Sequence, residues 1–155
     1  MKQSKEFWHT LTPGLVEVLR KFGLRVKSLD KNKIHIRKDL DLDISENNNF
    51  QKLKYWGLVA KYRENGKHIA GFWVLTRNGG AFLRNELDMP KKVKTFENHL
   101  IEKSQERTRI TDFFNCYGEE YWQQTFIGLP IENEQKELFL KVGSQILTIK
   151  NGRRI

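Results

Sequence analysis

The chain predicts an α+β fold in which helices enclose a short β-hairpin. Three observations carry this. Apolar residues recur at steps of three and four from Leu15 to Leu29, which is the period of a helix. Two strand-like runs flank Asn65-Gly66, the strongest short-range hairpin signal. Thr76 then stands directly ahead of a second helical pattern through Ala81, Phe82 and Leu83.

Each element follows from local chemistry. Thr12-Pro13 starts the first helix, with Thr at the N-cap and Pro at the first helical position. Leu15, Val16, Leu19, Phe22, Val26 and Leu29 form its apolar face. Gly23 weakens that helix by about 1 kcal/mol relative to Ala without interrupting the pattern. Asp30-Lys31-Asn32-Lys33 reads as a turn, Ile34-His35-Ile36 as a short strand, and Arg37-Lys38-Asp39-Leu40 as one short helical turn. After a tight connection over Asp41-Leu42-Asp43-Ile44, Ser45 is the expected cap of a helix whose stripe is Phe50, Leu53 and Trp56, and Gly57 stops it. Residues 58–62 alternate as a strand, Glu64-Asn65-Gly66-Lys67 is the turn, and Ile69 to Leu75 returns. The helix after Thr76 extends to about Glu86. This order of helix, short strand, helix, turn, helix, hairpin and helix is that of a winged helix-turn-helix.

Pro90-Lys91-Lys92 divides this first unit, residues 1–90, from a C-terminal α/β extension over residues 91–155. Within the extension, Val93 to Leu100 is strand-like or extended and Thr111 to Cys116 is a short helix. Leu138–Val142 and Gln145–Ile149 form a hairpin, and residues 151–155 are a frayed basic tail.

Composition narrows the function classes. The 155 residues carry a formal charge of +9, which favours a polyanionic partner. The excess is densest early: residues 1–60 hold 12 Lys and Arg against 7 Asp and Glu. A lone cysteine, Cys116, cannot form an intrachain disulfide or a Cys-based zinc site, and a reducing cytoplasm is the expected setting. No apolar run reaches the length of a membrane span, and no signal-peptide core follows the first residues.

The run Asn49-Phe50-Gln51-Lys52-Leu53-Lys54-Tyr55-Trp56-Gly57-Leu58-Val59 resembles the end of a recognition helix entering a first wing strand. Gly71-Phe72-Trp73-Val74-Leu75-Thr76-Arg77-Asn78-Gly79-Gly80-Ala81-Phe82-Leu83 resembles the second wing strand and final helix of winged-helix repressors of the MarR-like kind. The likeness covers residues 13 to 88 and extends to a group of small bacterial and phage winged-helix proteins. It implies binding of double-stranded DNA by a transcriptional regulator, with the helix over 45–56 in a groove and the wing over 58–75 beside it.

The residues suit that role. Opposite the apolar stripe of the second helix stand Asn47, Asn48, Gln51, Lys52, Lys54 and Tyr55. Asn and Gln pair bidentately with adenine, and Lys reaches guanine or phosphate. Lys61, Arg63, Lys67 and His68 surround the Asn-Gly turn, where a wing follows the backbone or enters the minor groove. Arg37 and Lys38 open the short turn before the helix, a usual place for phosphate contact. A homodimer on a palindromic site is the expected assembly.

Other features have simpler readings. Asp39, Asp41 and Asp43 alternate without the Glu that a calcium loop requires and serve turns and helix ends. The four His are scattered, so no metal site or cofactor is expected. Cys116 reads as a buried thiol, and the adjacent Glu119 and Glu120 point to different sides of a helix, so no enzyme is expected. Phe113, Phe114, Tyr117, Tyr121, Trp122 and Phe126 read as core, with a pocket or a protein partner's surface as the alternatives. A protein-interaction module stands as the second functional reading, for example a phage-type inhibitor of a host nucleic-acid enzyme acting against a defence system.

Overall fold

A computed structural model describes residues 5–114 and 117–130, an α+β chain with three small antiparallel sheets among the described residues. It opens with strand β1 (Glu6–Thr10), which the sequence did not lead us to expect. Helix α1 (Pro13–Leu29) matches its expected bounds, and the Thr12 hydroxyl accepts from Leu15 N at 3.3 Å. Leu15, Val16, Leu19, Phe22 and Val26 of the expected series are buried, Val18 joins them, and Leu29 is only half-buried. Gly23 has a purpose there: a Cβ would press on Leu83 and Phe126, so the glycine lets two other segments close on the helix. Asp30 ends α1 in the left-handed region (φ 52°), which Asp tolerates better than most residues.

Strand β2 (Ile34–His35) follows. The helical turn expected over residues 37–40 is a single turn from 36 to 39, closed by Asp39 N on His35 O at 2.9 Å. Helix α2 (Ile44–Lys52) is capped by Asp43, not by Ser45. The reason is a reciprocal pair: Asp43 Oδ1 accepts from Glu46 N at 2.7 Å, and Glu46 Oε1 accepts from Asp43 N at 3.2 Å. Ser45 has no acidic residue placed to complete such a pair, so the helix begins two residues earlier. A 3-10 turn over Leu53–Trp56 prolongs α2, and Gly57 stops it at φ 74°.

Strands β3 (Val59–Glu64) and β4 (Lys67–Leu75) form the expected hairpin. Asn65 (φ 53°) and Gly66 (φ 82°) make the two-residue turn with both backbones left-handed, the geometry that suits strand twist. β2 pairs with β4 rather than β3, giving the order β2-β4-β3. Thr76 caps helix α3 (Arg77–Leu83), accepting from Gly79 N at 2.9 Å while donating to Gly57 O at 2.5 Å. The helix ends three residues short of Glu86, where Asn85 turns left-handed (φ 61°).

The next stretch folds back on the start of the chain. Strand β5 (Met89–Pro90) pairs with β8 (Arg107–Thr108), between which lie β6 (Lys92–Phe96) and β7 (His99–Lys103). The extended run expected over 93–100 is therefore a hairpin, turned at Glu97 (φ 50°) and Asn98 (φ 66°). β6 also pairs with β1, so the second sheet runs β1-β6-β7. The helix expected from Thr111 is a 3-10 turn at Ile110–Asp112. Helix α4 (Glu119–Thr125) was not expected. The hairpin read over 138–149, the basic tail and Cys116 lie outside the described residues.

One core cluster runs from Leu11 to Phe126 and so draws on both sides of residue 90. Phe22, Phe50, Phe82, Trp122 and Phe126 are its largest fully buried side chains. Trp56 donates Nε1–H to Pro90 O at 2.8 Å, which anchors the end of the first unit, and the Tyr55 hydroxyl crosses the boundary to Asn98 Oδ1 at 3.0 Å.

Candidate nucleic-acid interface

The inner side of α2 is fixed by aromatic packing. Phe50 stacks on Phe22 with centroids 5.2 Å apart and meets Trp73 edge-on at 5.0 Å. Leu53 and Trp56 are buried beside it. This packing leaves Asn48, Gln51 and Lys52 exposed and Asn47 half-buried. The helix contains one carboxylate, and it is occupied: Glu46 accepts from Lys21 Nζ at 2.6 Å, which raises the Lys21 pKa. The outward face is thus amide and ammonium, without an opposing free acid from its own helix.

Tyr55 and Lys54 turn elsewhere. The Tyr55 hydroxyl donates to Asn98 Oδ1 at 3.0 Å, and its ring stacks on His9 at 5.1 Å. Lys54 Nζ lies 5.7 Å from the same ring. Both are half-buried and face the second sheet rather than the side shared by Asn48 and Gln51. His9 in turn shares a 2.9 Å hydrogen bond with Thr95 Oγ1. Burial, and then the Lys52 charge, lower its pKa from 6.5.

Lys61, Arg63 and Lys67 are exposed on the β3–β4 hairpin. Its one acid, Glu64, accepts weakly from the Tyr62 hydroxyl at 3.4 Å. Arg37 and Lys38 are exposed in the turn after β2, and both backbone amides donate to His35 Nδ1 at 3.1 Å. They share an open groove of about 840 Å³ with Lys21 and Arg25, but Asp39 and Asp41 line it as well. That groove is mixed in sign, unlike the α2 face.

The sequence reading missed the β6–β7 hairpin as a neighbour of α2. Its turn brings Asn98 to Tyr55, and His99 and Lys103 line a cleft with Lys54. The available signal was Asn98 itself, since Asn adopts the left-handed conformation more readily than most residues.

The remaining candidates settle into structural roles. Asp39 Oδ2 accepts from His35 N at 2.8 Å and Asp43 caps α2. Among the described residues no group of three or more His, Cys, Asp or Glu is placed to hold a metal ion. No helix there is long and apolar enough to cross a membrane. Trp122 and Phe126 are fully buried, and Tyr117 stacks on Tyr121 at 4.0 Å. Arg20 joins that group to α1, donating to Tyr121 Oη at 3.0 Å. Of the exposed large apolar side chains among the described residues, Phe7, Trp8, Phe96, Leu100 and Ile101 belong to the second sheet, while Ile44 opens α2 and Ile127 follows α4. Comparison with protein-family models, curated proteins and solved structures found no match to this chain.

Proposed function

We propose that residues 13–88 form a winged helix-turn-helix that binds duplex DNA as a sequence-specific regulator. The observation that carries this reading is the outward face of α2. Asn48, Gln51 and Lys52 stand exposed on a helix whose only carboxylate is bound to Lys21, and a cationic hairpin accompanies it. Amides of this kind read base edges, and the hairpin cations contact phosphates. The β2-β4-β3 order supports the winged assignment, because it joins the strand before α2 to the returning strand of the hairpin. A homodimer on a two-fold site would double these contacts.

Replacing Asn48 and Gln51 with Ala removes base-edge pairing. Discrimination between preferred and random sites falls by about 1–3 kcal/mol per lost bidentate pair, while nonspecific affinity stays. Lys61→Ala with Lys67→Ala weakens binding to every sequence and flattens the salt dependence. Competition binding on preferred and random duplexes measures both. If the first pair of substitutions alters neither affinity nor preference, α2 is not the reading helix.

A second reading is favoured by the exposed apolar residues of the second sheet. Trp8 is 47% exposed, Phe7 55% and Ile101 49%, exposed apolar area of a kind that suits a protein partner. On that reading the chain is an interaction module, of which an inhibitor of a nucleic-acid enzyme is one form. A partner captured by the wild type and lost in Trp8→Ser/Ile101→Ser, with no DNA binding by either, supports it.

A further inference from the structure

The corner where α2 gives way to β3 meets the second hairpin across a cleft of about 530 Å³. Lys54 and Tyr55 form one wall, His99 and Lys103 the other, and Asn78 and Asn98 add side-chain amides. Among the described residues no Asp or Glu lines it. The contrast within the same hairpin is informative. On the opposite face of β6, Lys94 lies 3.0 Å from Glu6 and 3.6 Å from Glu102, so its charge is balanced. Neither Lys54 nor Lys103 has a salt bridge among the described residues. Two ammonium groups facing one concavity without a counter-charge lower their energy by taking up an anion. The amides supply neutral donors: Asn98 Oδ1 is taken by Tyr55, which leaves its NH₂ to donate.

We propose that this cleft is a phosphate-binding site, with Lys54 and Lys103 as the charged pair and Asn98 as the neutral donor. Its phosphate comes from the backbone of a duplex held by α2, or from a free phosphate-bearing small molecule. The first source rests on the DNA reading above; the second does not. With the first source, β6–β7 acts as a second wing on the far side of Tyr55.

Two arms of one experiment separate the cases, using the full chain and its Lys54→Gln/Lys103→Gln variant, matched for thermal midpoint. In the first arm inorganic phosphate is titrated while the backbone amide signals of Tyr55, Asn98 and His99 are followed by NMR. In the second, binding to a random duplex is measured against salt, with Lys61→Ala/Lys67→Ala as the wing control. The site is supported by saturable shifts at those amides that need at least fivefold more phosphate in the cleft variant. A log–log salt slope reduced by about 1–2 in the cleft variant assigns the phosphate to the DNA backbone, since each lost phosphate contact removes about 0.9. Phosphate shifts with an unchanged slope assign it to a free ligand. No saturable shift together with an unchanged slope overturns the cleft while leaving DNA binding intact. If the wild type binds no DNA, the winged-helix reading fails and the phosphate titration alone decides the cleft.

Discussion

Asn32 completes a strand with its side chain. Its Nδ2 donates to Leu75 O at 2.8 Å and its Oδ1 accepts from Leu75 N at 2.7 Å, so a buried amide takes the place of a neighbouring backbone. Asn32→Leu strands both backbone groups. A loss of about 2–5 kcal/mol is expected from two unpaired buried groups, measurable by urea denaturation. Gly79 is constrained from outside: a Cβ would collide with the Leu58 carbonyl oxygen, which is backbone and cannot swing away. Gly79→Ala should therefore cost about 1–3 kcal/mol despite the better helix propensity of Ala. His9 adds a pH dependence. Its folded pKa lies below the unfolded 6.5, so the unfolded chain takes up a proton first as pH falls. Its contribution is complete above about pH 6.5 and is lost below it, as pH approaches the folded value. Thermal midpoints compared between pH 7.5 and 5.5 should fall more in the wild type than in His9→Gln; equal falls would remove His9 as the cause. Asn32 was legible only as a turn former, because its partner is 43 positions away.

At the scale of elements, what could be read in the sequence was what is locally determined. α1 carries its own cap and period, and the β3–β4 hairpin carries its own turn. The start of α2 was misread because two candidate caps stand two residues apart, and only the Asp43–Glu46 pair satisfies both backbone donors. Asp43→Ala should cost about 0.5–2 kcal/mol and fray the first turn of α2, visible as faster amide exchange at Asn47 and Asn48. Equal exchange in the two proteins would show that packing of Phe50, not the cap, holds that turn. β1 lay beyond local reading because it is a strand by virtue of β6, with Phe7 opposite Thr95 and His9 opposite Val93. A polar, mixed segment such as Glu6–Thr10 becomes a strand through that pairing rather than through propensity. α4 likewise forms where Trp122 enters the core, Tyr121 meets Arg20 of α1 and Phe126 lies against Gly23, contacts made only in the folded chain.

Across the whole molecule, the α2 face and the hairpin cations were legible as residue types, whereas their surroundings were not. The sequence suggested one exposed face over residues 47–55; folding divides it. Asn48 and Gln51 remain outward, while Lys54 and Tyr55 join the second sheet through Asn98 and His9. The chain's +9 charge is likewise distributed unevenly. Lys21, Lys94 and Arg107 are matched by carboxylates, while Lys54 and Lys103 meet at a cleft that no carboxylate lines among the described residues. We propose that this arrangement serves duplex DNA. The most direct test is fluorescence anisotropy of a labelled random duplex with the full chain over a series of salt concentrations. Saturable binding that weakens linearly in log–log form is expected, with a slope of several phosphate contacts at about 0.9 each. Absence of binding at low salt would contradict it.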